Sequence, residues 1–193
     1  MTRRVHGAQR IFRFFPCDSL ITMEIAPAVF ADAHDIATVH IQSWQSAYGE
    51  ILDAAWLAAL GVDDRTARSH SILTANESQT ALSRHDGRIT GFVSFGKCRD
   101  ERAASSQGEI WASYVAPQVW AQGTGRALLI HAEFQLHAAG YGAISLWVLS
   151  ANQRGIKFYE ACGFNHLAGS EKVFELGGRQ VEEVAYVRQM AAS

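Results

Sequence analysis

Residues 115–129 read VAPQVWAQGTGRALL, and this stretch decides how the rest of the chain is interpreted. A strand-like run, 109–115, leads into a turn with Pro117, after which Gly123 and Gly125 open an amphipathic helix. Glycines at alternate positions let the backbone approach a bound group, and a helix N-terminus attracts an anion, commonly a phosphate. A nucleotide-like ligand is therefore the first hypothesis. An ordinary glycine turn before a helix is the alternative, because two glycines alone form a weak motif.

Composition restricts the class of protein. The chain has 193 residues, of which 48% are apolar and 19% charged, as in a globular protein of one domain. The net charge of −2 gives no electrostatic reason to expect a nucleic-acid partner. No apolar run is long enough to cross a membrane, so a protein without membrane contact is expected. The cysteines are odd in number and far apart, which predicts reduced thiols in a cytoplasmic protein and no disulfide framework. Three cysteines, Cys17, Cys98 and Cys162, are too far apart for a close-spaced metal site, and no histidine pair has the spacing of a helical zinc site. No bound metal is predicted.

The first 22 residues differ from the rest. They carry four arginines against one acid, Asp18, and their apolar residues are interrupted too early to form the core of a signal peptide. We interpret 1–22 as an N-terminal arm and 23–193 as a single domain. The arm is expected to be mobile or to clamp on a neighbouring subunit, which makes a homodimer one partner to test.

Helices and a hairpin are predicted in the first half of the domain. Asp32 is expected to be the N-cap of a helix that ends before Gly49, because apolar residues recur at helical spacing from Ile36 to Ala47. Further helical stretches follow at 54–60 and from about 63 to 73. Asp86-Gly87 then predicts a tight turn between strands at 80–83 and 89–98.

The second half contains the crossover. The helix after the glycine loop runs to Gly140, and its predicted apolar positions are Ala127, Leu128, Ile130 and Phe134. The apolar run 143–149 predicts a buried strand, parallel to 109–115 through a right-handed crossover. A short helix at 152–162 is expected to stop at Gly163. Two strands joined at Gly177-Gly178 then complete a mixed α/β domain.

Two motifs in this order resemble the GNAT superfamily of N-acetyltransferases, over about residues 23–190. One is the glycine loop with Gly123 and Gly125, and the other is the tail NQRGIKFYEACGF at 152–164. The run SWQSAY at 43–48 is similar to a bacterial branch of small, uncharacterised members. The resemblance implies an acyl-CoA N-acyltransferase fold: a mixed α/β domain whose central, mostly antiparallel sheet has one parallel strand pair and is flanked by helices. It also implies acetyl-CoA as co-substrate and transfer of the acetyl group to a primary amine of a small molecule or peptide.

Two departures from the family pattern concern the motifs themselves. Trp120 stands where the family commonly has Arg or Gln, and Gly155 replaces a frequent Ala three residues after Asn152. Backbone amides carry most of the anion binding in such a loop, so the first departure should be tolerated. The second removes no chemical group and loosens the helix by about 1 kcal/mol if exposed.

The resemblance also implies the cofactor-binding residues. The end of the 109–115 strand would pair with the pantetheine arm, and a backbone amide near Val115 would polarise the thioester carbonyl. Asn152 would hold the cofactor and the start of its helix. The loop would hold the pyrophosphate through Gln122, Gly123, Thr124, Gly125, Arg126 and Ala127.

Catalytic groups follow from the same motifs. Tyr159 lies two helical turns after Asn152, where the family places a general acid, although a core tyrosine is the more common role for such a residue. Glu109 lies six residues before Val115, hence on the same strand face by the period of two, and matches a glutamate used as base in some members. A solvated carboxylate is equally compatible with that position. Trp44, Tyr48 and Trp147 are candidates for the acceptor side, with core packing as the alternative.

No cysteine is suitably placed for an acetyl-enzyme intermediate, so direct transfer in a ternary complex is expected. The other possible functions are a non-catalytic acyl-CoA-binding module and, more distantly, a dinucleotide-binding domain. The latter would need a third glycine and repeated strand-helix-strand units.

Overall fold

The structure is a computed structural model that describes residues 10–12, 23–75, 77–101 and 103–190. Within the predicted arm, the strand Arg10–Phe12 pairs antiparallel with Met23–Pro27. The predictions for the remainder of residues 1–22 lie outside the described residues.

Nine strands form one sheet in the described parts of the chain. They are β1 (Arg10–Phe12), β2 (Met23–Pro27), β3 (Gln79–His85), β4 (Arg88–Lys97), β5 (Gln107–Val115), β6 (Ala143–Leu149), β7 (Asn165–His166), β8 (Lys172–Leu176) and β9 (Arg179–Gln189). Their order is β1-β2-β3-β4-β5-β6-β9-β7, with β8 also paired to β9. The β5–β6 pair is parallel and the other described pairs are antiparallel, which confirms the predicted mixed sheet.

Five α-helices connect these strands: α1 (Ala33–Ala47), α2 (Ala54–Ala58), α3 (Val62–Ala75), α4 (Thr124–Ala138) and α5 (Gln153–Ala161). The predicted hairpin is β3–β4, and Asp86 and Gly87 at its turn have φ of 49° and 78°. Gly163 ends the α5 region with φ of 84°, in agreement with its predicted role as a stop signal. The sheet pattern does not contain the repeated parallel units of a dinucleotide-binding domain.

The helices cover both faces of the sheet. Phe92 of β4 packs with Ile36 and Val39 of α1, whereas the next residue, Val93, packs with Leu128 of α4. Adjacent strand residues point to opposite faces, so α1 and α4 lie on opposite sides of the sheet. Residues of α5 join the core on the α4 side.

The predicted apolar face of α4 is partly wrong. Leu128, Leu129, Ala132 and Leu136 face the core, while Ile130 and Phe134 are 42% and 49% exposed. Both sets contain residues four apart, so helical spacing alone could not select the buried stripe. The packing of α4 on β4 and β5 selects it.

Asp32 stands at the predicted helix start with a different role. Its carboxylate accepts a hydrogen bond from the Val29 backbone N–H at 2.9 Å and pairs with Arg84 at 2.6 Å. It makes no side-chain cap bond to α1. Asp32 therefore closes the 3-10 turn before α1 and attaches it to β3.

A gap opens between the two parallel strands. The β5–β6 pairing covers only Gln107–Ile110 against Ala143–Leu146. Beyond it, β5 continues beside β4 as far as Val115, and β6 continues beside β9 as far as Leu149. The sheet thus splits between the carboxyl ends of two parallel strands, a place where α/β sheets commonly bind ligands.

Candidate active site

A cavity of about 730 Å³ occupies the gap between the carboxyl ends of β5 and β6. Of the residues predicted to bind, the cavity is lined by Trp44, Tyr48, Val115, Gly123, Gly125, Arg126, Trp147, Asn152 and Tyr159. Gln122, Thr124, Ala127 and Glu109 do not line it. The fold therefore brings most of the predicted site into one space.

One end of the cavity, the loop end, consists of Gly123, Gly125, Arg126 and Arg154. Gly123 is the N-cap of α4 with φ of 87°, a left-handed conformation that favours glycine. The first backbone N–H groups of α4 lack partners within the helix and carry its positive dipole end. This end is suited to an anion.

Thr124 and Gln122 turn away from that anion position. Thr124 is 1% exposed, and its hydroxyl lies 3.3 Å from Nε2 of His85. The Gln122 side chain donates to the Gln118 carbonyl at 3.2 Å. Any contact of these two residues with a ligand in the cavity must therefore use their backbone.

Trp120, the departure from the family pattern, has two contacts. Its Nε1–H donates to the Val115 carbonyl at 2.7 Å, which ties the turn to the end of β5. The guanidinium of Arg154 lies 3.5 Å from the centre of the Trp120 ring. A cation is thus held beside the glycine loop although the loop itself begins with tryptophan.

Asn152 is the N-cap of α5. Its side-chain oxygen accepts a hydrogen bond from the Gly155 N–H at 3.0 Å. A Cβ on Gly155 would lie 2.7 Å from Nδ2 of Asn152, so alanine there would require the amide to shift. Gly155 allows the close approach of this side chain.

Tyr159 lies further along the same helix, half-buried in the cavity wall. Its ring makes edge contacts with Phe158 and Phe164 at 5.1 and 6.0 Å between centres. Burial raises the pKa of Tyr159, and the nearby Tyr114 raises it further, against a hydrogen bond with Ser113. Its hydroxyl therefore stays protonated at neutral pH and can donate a proton.

The opposite end of the cavity, the aromatic end, consists of Trp44, Tyr48, Trp147, Phe174, Leu176 and Glu183. Trp44 of α1 and the C-cap residue Tyr48 pack edge to face at 5.2 Å. Both belong to one apolar cluster with Phe174 and Leu176. Burial raises the pKa of Tyr48, and so does Tyr114. Trp44 Nε1 is buried with no hydrogen-bond partner among the described residues.

The ring of Tyr114 packs against His40, whose imidazole is neutral. Burial, then Arg65 and Arg68, lower the pKa of His40 to about 2, so its ring is uncharged. The ring nitrogens lie 2.9 and 2.6 Å from the Arg65 guanidinium, and the ring meets Tyr114 at 4.5 Å.

Glu109 is not placed as the sequence suggested. A bulge at Trp111 lets Ile110 pair with Phe95 and Ala112 with Ser94. Ile110 and Val115 consequently both pack on the α4 side. Glu109 therefore faces the α1 side, and its predicted position on the same face as Val115 is wrong because a bulge reverses the period of two.

The carboxylate of Glu109 is also engaged. Glu109 is 1% exposed, accepts the Arg99 backbone N–H at 2.8 Å and forms an ion pair with the Arg99 guanidinium. It is a buried, paired carboxylate, in contrast to the solvated one that was considered. Arg99 in turn lies 4.8 Å from the Trp111 ring centre and reaches the cavity wall.

Several cavity residues were missed by sequence reasoning: Arg99, Tyr114, Arg154, Phe174, Leu176 and Glu183. Tyr114 and Arg154 adjoin motif residues, so proximity in sequence could have indicated them. Arg99 and Glu183 lie in segments without a motif, and no sequence signal marks them.

No group of three metal-ligating side chains occurs within the described ranges. No helix in those ranges is long and apolar enough to span a membrane.

Comparison with known sequences agrees with these features. Residues 40–164 match the model of the Acetyltransferase (GNAT) family. A Bacillus subtilis protein, the uncharacterized N-acetyltransferase YuaI, is 34% identical over 166 residues, which cover 83% of this chain and 89% of the relative.

Solved structures share the fold. PaiA N-acetyltransferase from Thermoplasma acidophilum, in complex with coenzyme A, is 18% identical with a TM-score of 0.65, covering 87% of this chain and 99% of its own. YncA from Salmonella typhimurium, with its cofactor acetyl-CoA, is 22% identical with a TM-score of 0.67, covering 89% and 95%.

Proposed function

Because the chain belongs to the GNAT acetyltransferase family, we propose that it transfers the acetyl group of acetyl-CoA directly to a primary amine of a small molecule or peptide. The observation that carries the proposal is that one cavity joins the N-terminus of α4, the split between β5 and β6, and the Tyr159 hydroxyl group. These supply an anion site, a slot for an extended chain and a proton donor.

The loop end would hold the pyrophosphate of acetyl-CoA. Free backbone N–H groups at Gly123, Gly125 and Arg126 would donate to it, with Gln122, Thr124 and Ala127 contributing through their backbone at most. Arg154, positioned by Trp120, supplies a nearby cation. The presence of acetyl-CoA or CoA in related structures supports this assignment for this chain.

The end of β5 would polarise the thioester. Ala116 donates its backbone N–H to the carbonyl of Thr90 in β4 at 2.8 Å. Successive N–H groups along a strand point to opposite edges, so the Val115 N–H points into the gap towards β6. This amide is the candidate donor to the thioester carbonyl, and Asn152 fixes the adjacent start of α5.

Tyr159 would protonate the departing thiolate. Burial and Tyr114 raise its pKa, so the hydroxyl stays protonated until the C–S bond breaks. Transfer of this proton to the thiolate is driven by the protonated nitrogen of the new amide, which is strongly acidic and returns a proton to Tyr159. For Glu109, whose carboxylate is neutralised by Arg99, we propose a positioning role that keeps Arg99 at the cavity wall. The cytoplasmic location, the homodimer and the domain boundary at residue 23 stay predictions.

The proposal is tested by calorimetric binding of acetyl-CoA together with release of free CoA over polyamines, amino acids, aminoglycosides and peptide N-termini. Binding followed by amine-dependent CoA release is expected. Binding without turnover for any amine would support the acyl-CoA-binding module instead. Absence of acetyl-CoA binding would overturn the proposed function.

A further inference from the structure

The cavity contains a second carboxylate that no motif predicted. Glu183 of β9 lines the same cavity as Val115 and Tyr159, whereas Glu109 does not. Its Cα partner in the neighbouring strand is Leu149, the last residue of β6. Glu183 therefore stands at the open end of the gap.

The direction of the Glu183 side chain follows from its neighbours on β9. Val184 and Tyr186 pack in the core on the α4 side, whereas Val181 packs with Leu52 and Leu57. Glu183 shares the face of Val181 by the period of two. It consequently points to the aromatic end of the cavity, beside Trp147 and Phe174.

Charged groups around Glu183 belong to three elements. Lys172 of β8 is its Cα partner, and the Lys172 ammonium lies 3.5 Å from the Trp147 ring centre. Arg99 and its partner Glu109 lie on the other side, where they also affect the Glu183 carboxylate. Glu109 is already paired with Arg99. Glu183 is therefore the carboxylate that is available to an incoming cation at this end of the cavity.

We propose that Glu183 is the catalytic base of this enzyme, and that the acceptor is a monoamine carried on an apolar or aromatic body. The inference rests on the proposed function. Trp44, Tyr48, Trp147 and Phe174 provide the surface for such a body, and Glu183 receives its ammonium group. A second ammonium would be repelled by the Lys172 ammonium, whereas the charge of Arg99 is compensated by Glu109.

The proton balance uses Glu183 and Tyr159 in sequence. Glu183 takes one proton from the ammonium, and the neutral amine nitrogen attacks the thioester carbonyl carbon. The new C–N bond forms, the C–S bond breaks, and Tyr159 gives its proton to the thiolate. The tyrosinate then takes the excess proton from the nitrogen of the newly formed amide. Glu183 releases the proton that it took from the ammonium to water.

Burial raises the pKa of Glu183, Lys172 and Arg99 lower it, and Glu109 raises it further. The base must be ionised before it can act, so kcat/KM should fall as the pH drops through this raised pKa. That acid limb is the signature of Glu183, because a purely structural side chain would not produce it.

The test compares Glu183→Gln with two matched variants. Glu182→Gln changes the adjacent carboxylate, which is on the other face of β9 and does not line the cavity. Glu109→Gln changes the buried partner of Arg99. Acceptors are 2-phenylethylamine and tryptamine against putrescine and spermidine, and acetyl-CoA affinity and melting temperature are recorded for each protein.

Glu183→Gln should lower kcat/KM by ~10²-fold and remove the limb at the carboxylate pKa, which leaves only the rise of kcat/KM towards the pKa of the amine itself, about 10. Acetyl-CoA affinity should be unchanged. Glu182→Gln should match the wild type, and Glu109→Gln should keep the limb while melting earlier. If Glu183→Gln does not fold, Glu183→Asp replaces it and should keep the limb at reduced rate.

A limb at the carboxylate pKa that persists in Glu183→Gln, or that disappears in Glu109→Gln instead, would overturn the assignment of the base. A preference of the wild type for the polyamines, or no transfer to either aromatic amine, would overturn the acceptor class. Failure of the wild type to bind acetyl-CoA is a different result, because it removes the proposed function itself.

Discussion

The two ends of the cavity differ in how they are built. The loop end uses backbone groups of one short stretch, 123–126, together with the first turn of α5. The aromatic end combines side chains from α1, β6, β8 and β9, which are far apart in sequence. An anion site made from backbone amides needs little more than glycines before a helix, whereas a surface for an acceptor depends on which side chains the fold brings together.

The largest effect is expected where the two ends meet, at Tyr159. Changing Tyr159 to Phe removes the proposed proton donor and should lower kcat by a factor of ~10² to 10⁴. Acetyl-CoA affinity and melting temperature should change little, and kinetics, calorimetry and thermal unfolding measure the three quantities. Tyr186→Phe is the control, because Tyr186 is buried and its hydroxyl contacts Glu160 outside the cavity. Wild-type turnover in Tyr159→Phe would exclude the general-acid role.

Bulky side chains at Gly123 and Gly125 should prevent the loop end from binding acetyl-CoA. The double variant Gly123→Val, Gly125→Val should weaken acetyl-CoA binding by ~10²-fold, since charge-assisted hydrogen bonds contribute about 1.5–3 kcal/mol each. Gly140→Val is a matched control: Gly140 has φ of 91°, open space around it, and lies at the other end of α4. Calorimetry measures the affinity, and equal affinities in the two folded variants would contradict the pyrophosphate assignment.

Folding stability should depend on pH through His40, whose neutral ring packs against Tyr114 in the cavity wall. Its folded pKa of about 2 lies below the unfolded value of 6.5, so the unfolded chain binds the extra proton between these values. Folding stability is full above pH 6.5 and is lost as the pH falls towards 2, by roughly 2 kcal/mol between pH 6.5 and 5. Urea unfolding at several pH values should show a flatter dependence in His40→Gln.

His34→Gln is the control for this measurement, because His34 is exposed on the same helix. It should follow the wild-type dependence. If His40→Gln retains the full loss of stability below pH 6.5, then His40 is charged in the folded protein and does not support Tyr114 as a neutral ring.

The smallest effect is expected at Arg154. Replacing it by Ala should weaken acetyl-CoA binding by about 3- to 10-fold, with the loss reduced at high salt, because its guanidinium lies at an exposed site and is screened. Lys157→Ala is the control on the same helix, since Lys157 does not line the cavity. Equal affinities of the two variants, measured by calorimetry in low salt, would show that Trp120 holds Arg154 without a role in binding.

The loop end could be predicted because its information is local. Gly123 has a left-handed φ, and Asn152 caps the helix that it precedes, so residue type and local conformation correspond directly. The hairpin at Asp86-Gly87 and the stop at Gly163 were predictable for the same reason. Tyr159 follows from Asn152 by two regular helical turns, and no packing detail intervenes.

Residue type and spacing were sufficient to predict the order of elements, the parallel crossover and the glycine loop, because propensity, period and turn chemistry act over a few residues. The buried stripe of α4, the face of Glu109 and the position of Glu183 depend on how the elements pack in the folded domain. A single bulge at Trp111, specified by pairing with β4, reversed the face of Glu109. Glu183 reaches the cavity only because β9 pairs with β6, 34 residues earlier at the Leu149 position. Contacts of that kind depend on strand register and packing across the whole domain, which the local pattern of residues does not encode.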